Sequence, residues 1–192
     1  MNRDDLYFRL ARRPFDARRQ IPVPYVNEGE DGRHDFAVVN GQRALECARE
    51  QLCGACGHYI TRDLTFVGGV ANLLHHTYTD PPMHSPCADA ALRLCPFLKH
   101  PRMRPRPAAA AVIPAGFRDL DRSRPLAIGV TGGYDVRLTA GPDGSLLEFL
   151  PKPWQALHLF IYTDTGLAPT AAAAGAVAVA ALIAQLKETH HD

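Results

Sequence analysis

The sequence predicts an α+β protein: a treble-clef-like zinc module, then a small, mostly antiparallel sheet closed by a C-terminal alanine-rich helix. Three observations predict it. A Cys-x-x-Cys at Cys53 and Cys56 is followed by a His-x-x-Cys at His84 and Cys87. The second half carries short apolar runs divided by turn residues, the pattern of successive strands. The last apolar segment, Gly166 to Leu186, is free of charge and of helical length.

The chain divides into an N-terminal region with the zinc module (1–98), a basic, proline-rich linker (99–107) and a β-rich region ending in a helix (108–192), which can pack as one body with the first. A chain of 192 residues, 46% apolar and 21% charged, has material for a sizeable core. The net charge of +1 gives no footprint of a dedicated nucleic-acid binder.

In chain order, residues 3–20 read as a short helix or an arm. Ile21 to Val26 is extended, because each proline pushes its predecessor towards β or polyproline geometry. Asp35 to Val39 suits a short strand. Asn40 can cap a helix to about Gln51, with Leu45, Ala48 and Leu52 as its buried stripe. Cys53 to Gly57 follows as a tight turn, then two short strands, HYIT and TFVGGV, the second broken by Gly68 and Gly69. LLHHTYTDPP reads as a loop. Ser85 suits an N-cap and Pro86 the first helical position, giving a helix to about Leu94 that Pro96 ends.

Beyond the linker, AAAAVIP is a possible strand and Arg118 to Arg124 a charged loop. Leu126 to Thr131 is a strand. DVRLTA and SLLEFL form a hairpin through Gly-Pro-Asp-Gly, and Leu157 to Thr163 is a central strand. Trp154 reads as a core or strand-edge anchor and His158 as a core histidine. The alanine-rich helix, capped near Thr170, closes the chain. Pro169 and Gly175 interrupt that segment, so a buried core helix is preferred to a membrane span. The N-terminus lacks the apolar stretch of a signal peptide. Five cysteines without an export signal then suggest a reducing, cytoplasmic setting, where clustered Cys and His mean metal more often than disulfides.

Zinc takes four soft or imidazole ligands at tetrahedral corners. The Cys53–Cys56 turn offers two sulfurs. His84 and Cys87, three apart at a predicted helix start, offer the second pair, where the helix N-terminus also favours a thiolate. Cys53, Cys56, His84 and Cys87 are therefore the expected ligands of one structural Zn2+. Cys95 is eight residues from Cys87, about 12 Å along a helix, too far to share that ion. It falls on the stripe Ala88, Ala91, Leu92, Cys95 and reads as a buried thiol, as does Cys47.

Four ligands leave no open position for a catalytic water. Other chemistries remain as alternatives. A thiol redox role for Cys53–Cys56 would need a strand before the motif and a helix after it, the reverse of this order. An HNH-like, zinc-supported hydrolase or nuclease would draw on His75, His76 or Asp80. Lys99, Arg102, Arg104 and Arg106 of the linker can touch phosphates without reading sequence. Nothing here decides whether the chain is an enzyme, and the balance leans against it.

The central stretch resembles a family of uncharacterised bacterial and phage proteins with the pattern Cys-x-x-Cys-Gly, Phe-Val-x-Gly, Pro-Pro-x-His-x-x-Cys-Ala and Cys-Pro-Phe-Leu. Here these are Cys53 to Gly57, Phe66 to Gly68, Pro81 to Ala88 and Cys95 to Leu98. Gly69 stands where that family often has proline. The resemblance implies a shared zinc module and a bacterial or phage origin, without an activity. The expectation is a zinc-containing, non-catalytic binding or adaptor protein that contacts another protein or nucleic acid.

Overall fold

A computed structural model describes residues 8–29, 32–36, 38–99, 125–141 and 144–189. It is α+β, with small antiparallel sheets and a C-terminal helix. The first region opens with α1 (Phe8–Ala11), the two-residue strands β1 (Phe15–Asp16) and β2 (Ile21–Pro22), and a 3-10 turn (Tyr25–Asn27). Next come α2 (Gly41–Glu50), β3 (Leu64–Gly69), α3 (Val70–His75), α4 (Ser85–Leu94) and α5 (Pro96–Lys99). The second region holds β4 (Leu126–Thr131), β5 (Tyr134–Gly141), β6 (Gly144–Pro151), β7 (Trp154–Thr163), β8 (Gly166–Ala174) and α6 (Ala176–Thr189).

The main sheet runs β3-β4-β7-β8, antiparallel throughout. β3 pairs with β4 over its whole length, from Leu64↔Thr131 to Gly69↔Leu126, so strands from both regions build one sheet. One face carries Phe66, Ala127, Leu157 and Leu159 beneath Val179 and Leu186 of α6 and Val70 and Leu73 of α3. The other face carries a smaller cluster, Leu126 and Ile128 against Leu92 of α4. Trp154 sits in the larger core, its indole N–H donating to Leu73 O at 3.3 Å. Its ring lies so close to Gly129 that a Cβ there would stand 2.4 Å from it.

Several expectations shift. Gly166–Ala174 is a strand, and the final helix begins only after Gly175. Pro169 would block a helix through this segment, whereas β7 offers an unpaired ladder edge that satisfies the backbone from Thr163↔Gly166 to Ala156↔Ala174. Alanine's weak strand preference yields to that pairing. HYIT makes only the single bridge Leu52↔Tyr59, and β3 takes β4 as its partner instead. The described residues of Asp35 to Val39 form no strand, because the Asn27 side-chain amide donates to Asp35 O and Val38 O. Val70–His75 forms α3 and buries Val70 and Leu73, in place of a strand ending at Val70 and a loop from Leu73 to His75.

Asn40 caps α2 as expected, its side-chain oxygen accepting from Gln42 N and Arg43 N at 2.9 and 3.2 Å. The buried stripe of α2 is Ala44 and Cys47, one position off the expected one. His84 rather than Ser85 holds the N-cap position of α4, freeing the Ser85 hydroxyl to bond Thr65 Oγ1 at 2.8 Å. Cys95 is half-buried at the C-cap, and His158 is exposed on the sheet. The possible strand AAAAVIP, the charged loop 118–124 and nearly all of the linker lie outside the described residues.

Gly129→Ala would force the Trp154 ring from its place and is expected to destabilise the fold by about 1–3 kcal/mol. Urea unfolding followed by the fluorescence of this single tryptophan measures it; unchanged stability would contradict the close approach.

Candidate metal centre

Two segments, far apart in sequence, deliver the donors. In the first, the turn after α2 places Cys53 and Cys56. Gly57 N–H donates to Cys53 O at 2.8 Å and Cys53 N–H to His58 O at 2.8 Å, closing a knuckle. Gly57 has a φ of +75°, and a Cβ there would meet the Tyr25 ring at 2.7 Å, so only glycine fits. Tyr25 also holds the turn from outside. Its N–H donates to Ala55 O at 2.9 Å, that of Val26 to Gly54 O at 3.0 Å. Its hydroxyl is pinned by Glu46 and Arg43 of α2.

The second segment is tied to the first and to the sheet. Gly54 N–H donates to Pro82 O at 2.9 Å, and Met83 exchanges two backbone hydrogen bonds with Thr65 of β3. His84 and the start of α4 follow at once, so Cys87, in the helix's first turn, meets the knuckle.

The result is one cluster. The sulfurs of Cys53, Cys56 and Cys87 and a ring nitrogen of His84 all lie within 4.8 Å of one another. Tetrahedral bonds near 2.3 Å put ligand atoms about 3.8 Å apart, so a single ion fits, and three thiols with one imidazole are a donor set suited to zinc. The three cysteines are buried to 2% exposure or less, and His84 is half-buried. His84 Nδ1 lies 3.4 Å from Cys56 Sγ, and its backbone N–H donates to Cys53 Sγ at 3.4 Å. Its Nε2 lies 3.1 Å from Tyr59 O and 3.0 Å from Arg9 Nη1. The Tyr59 carbonyl favours Nε2–H, which leaves the Nδ1 lone pair facing the sulfurs as a metal ligand needs, whereas Arg9, a donor only, favours the opposite tautomer.

The electrostatics show why a cation belongs here. Burial disfavours the Cys53 thiolate, yet hydrogen bonds from Cys56, Cys87 and His84 outweigh it and hold that thiol well below its ordinary pKa. Cys87, facing Cys53 and Cys56 and buried, is pushed far up. The same two sulfurs raise His84 to about 10. One thiolate is tolerated and the next is opposed, a conflict that a divalent ion resolves. Burial chiefly keeps the nearby Cys47 protonated as well, its pKa raised to about 12.

All four expected ligands come together. His75, His76 and Asp80 are not part of the cluster. His75 is exposed at the end of α3. His76 stacks on Trp154, with ring centroids 5.2 Å apart, and its Nδ1 lies 3.1 Å from Pro151 O. Asp80 keeps an exposed surface, although the protein packed around it raises its carboxyl pKa. Lys99 ends α5, and Arg102, Arg104 and Arg106 lie outside the described residues. Sequence reasoning missed Arg9, the Tyr59 carbonyl and the Tyr25 brace. Arg9 is 75 positions from His84, and no local pattern links them. Comparison with known proteins found no matching family model, curated protein or solved structure.

Cys87 and His84 are both raised, so both are protonated at pH 7 in metal-free protein and must lose their protons to ligate. Zinc binding is therefore expected to release about two protons or more and to weaken steeply as pH falls. Calorimetric titration in buffers of different ionisation enthalpy counts them; a value near zero would exclude this ligand set.

Proposed function

We propose that the protein binds one structural zinc ion through Cys53, Cys56, His84 and Cys87 and works as a non-catalytic binding or adaptor protein. The observation that carries this reading is the closed donor set: four ligand atoms within 4.8 Å, three of them on buried cysteines. Such a set has no vacant corner for water. The ion would neutralise the thiolates and join the knuckle to the first turn of α4. These two ligand pairs are what supports a treble-clef-like module, whose first expected strand is reduced to the single bridge Leu52↔Tyr59. Structural zinc sites of this kind bind with about 10–16 kcal/mol, much of it expressed as folding free energy.

The partner we infer is another protein or a nucleic acid. The five cysteines are free thiols, in keeping with a reducing, cytoplasmic setting. Among the described residues no helix is long and apolar enough to cross a membrane. The hydrolase reading draws no support from His76, whose ring is engaged by Trp154 and Pro151.

Cys53→Ser and Cys87→Ser are each expected to abolish stoichiometric zinc and lower the melting temperature, whereas His75→Ala should change neither. Elemental analysis beside thermal melting tests this. Full zinc content and unchanged melting in both cysteine variants would overturn the assignment, and nuclease activity lost in a His75→Ala, His76→Ala double variant would overturn the non-catalytic reading.

A further inference from the structure

The two edges of the main sheet are both blunted. At β3, Met83 takes the hydrogen bonds of Thr65. At β8, Pro169 lacks an N–H and the register shifts opposite Leu159 and Phe160. The β5–β6 hairpin differs. Phe149 of β6 exchanges hydrogen bonds of 2.8 and 3.0 Å with Tyr78, so its N–H and C=O both point away from β5. Its cross-strand partner is Val136. That pair is therefore a non-hydrogen-bonded one, and the backbone groups of Val136 point out on the opposite edge. Pro151, which has no N–H, stands opposite Tyr134 in the same alternation. Val136, Leu138 and Ala140 thus turn their backbone groups outward.

Among the described residues no strand pairs with that edge. Residues 135–140 are all exposed, including Val136 at 42% and Leu138 at 65%. β5 reads YDVRLTAG. It has no proline or lysine, and its pairing with β6 shows no register shift, so three of the guards against edge pairing are missing, and the charges it carries, Asp135 and Arg137, are of opposite sign.

We propose that β5 is a self-association edge: two copies pair their β5 strands antiparallel about a two-fold axis at Val136, giving a four-stranded sheet β6-β5-β5-β6. Charge selects this register. With the axis at Val136, Asp135 stands opposite Arg137 of the second copy, twice over, and Tyr134 opposite Leu138. An axis at Arg137 would set the two arginines against each other. An axis at Leu138 would set Arg137 against Thr139 and pair no opposite charges. Opposite charges across strands stabilise and like charges oppose. Asp135 and Arg137 already pair within the chain with Lys152 and Glu148. Their side chains remain 62% and 54% exposed, so the contact would extend these pairs into a network. Val136 of each copy would then stand beside the other's Val136, and Leu138 beside Tyr134, on one face of the joined sheet, each pair screening part of its apolar surface from water.

The test is sedimentation velocity of the full, zinc-loaded chain over a concentration series. The expected result is a monomer–dimer equilibrium that Leu138→Lys and Val136→Pro each weaken by about tenfold or more, with melting and zinc content retained. Val136→Pro takes away an outward N–H and no hydrogen bond to β6, and Leu138→Lys alters an exposed site. Asp135→Arg should also weaken the dimer, and adding Arg137→Asp should restore it. A monomer at every concentration, a dimer indifferent to both edge variants, a charge exchange that fails to restore, or a monomer whose β5 pairs only with a strand of another protein would overturn the proposal.

Discussion

Three thiols and an imidazole held within 4.8 Å of one another are an electrostatic problem before they are a binding site. Each further thiolate in that small, buried volume raises the cost of the next. A double positive charge at the centre removes the conflict. Much of the first region exists in the form that this constraint requires. The knuckle is braced by Tyr25, the loop 81–83 is hydrogen-bonded to both the knuckle and β3, and α4 starts where its first turn supplies the fourth donor. These segments have little regular structure of their own, and the three cysteines sit in a small apolar cluster with Leu10, Ile60, Leu64 and Ala90, which a bound ion would staple together.

The sheet does for the second region what the ligands do for the first. β3 belongs to both. Its first residues are bonded to the ligand loop through Thr65 and Met83, while its whole length is zipped to β4. Phe66 on this strand enters the core shared by α3, α6 and Trp154. Tyr134 adds a second tie, its hydroxyl donating to the carbonyl of Cys47 at 3.1 Å. The two regions are therefore joined by the β3–β4 ladder, the Phe66 side chain and the Tyr134 hydroxyl.

Local signals were legible in the sequence. The cysteine and histidine spacing picked out all four members of the cluster, because knuckle and helix-start geometry are short-range. Asn40 and the Gly-Pro-Asp-Gly hairpin were equally readable, since a cap and a turn depend on neighbours along the chain. The misreadings share the opposite cause. Ala171 to Ala174 lies in a strand because the second edge of β7 would otherwise lack a partner, a tertiary demand that overrides alanine's propensity. HYIT stays out of the sheet because β3 is taken by β4. Asn27 dissolves the strand expected at 35–39 by claiming its carbonyls. At the site, Arg9 and Tyr59 converge on one face of His84 from separate segments, and no periodicity encodes that meeting.

The placement of β3 ahead of its partners has a consequence for biosynthesis. All four metal ligands have left the ribosome once Cys87 emerges, well before β4 begins at Leu126. Closing the ligand loop needs only moderate sequence separation, whereas β3 must wait for a strand beyond α5 and residues 100–124. A nascent chain that captures zinc early holds β3 against Met83 while its other edge is still vacant. Metal supply during translation would then govern how long an apolar, unpaired strand stays open to wrong partners, and so the yield of folded protein as well as its stability.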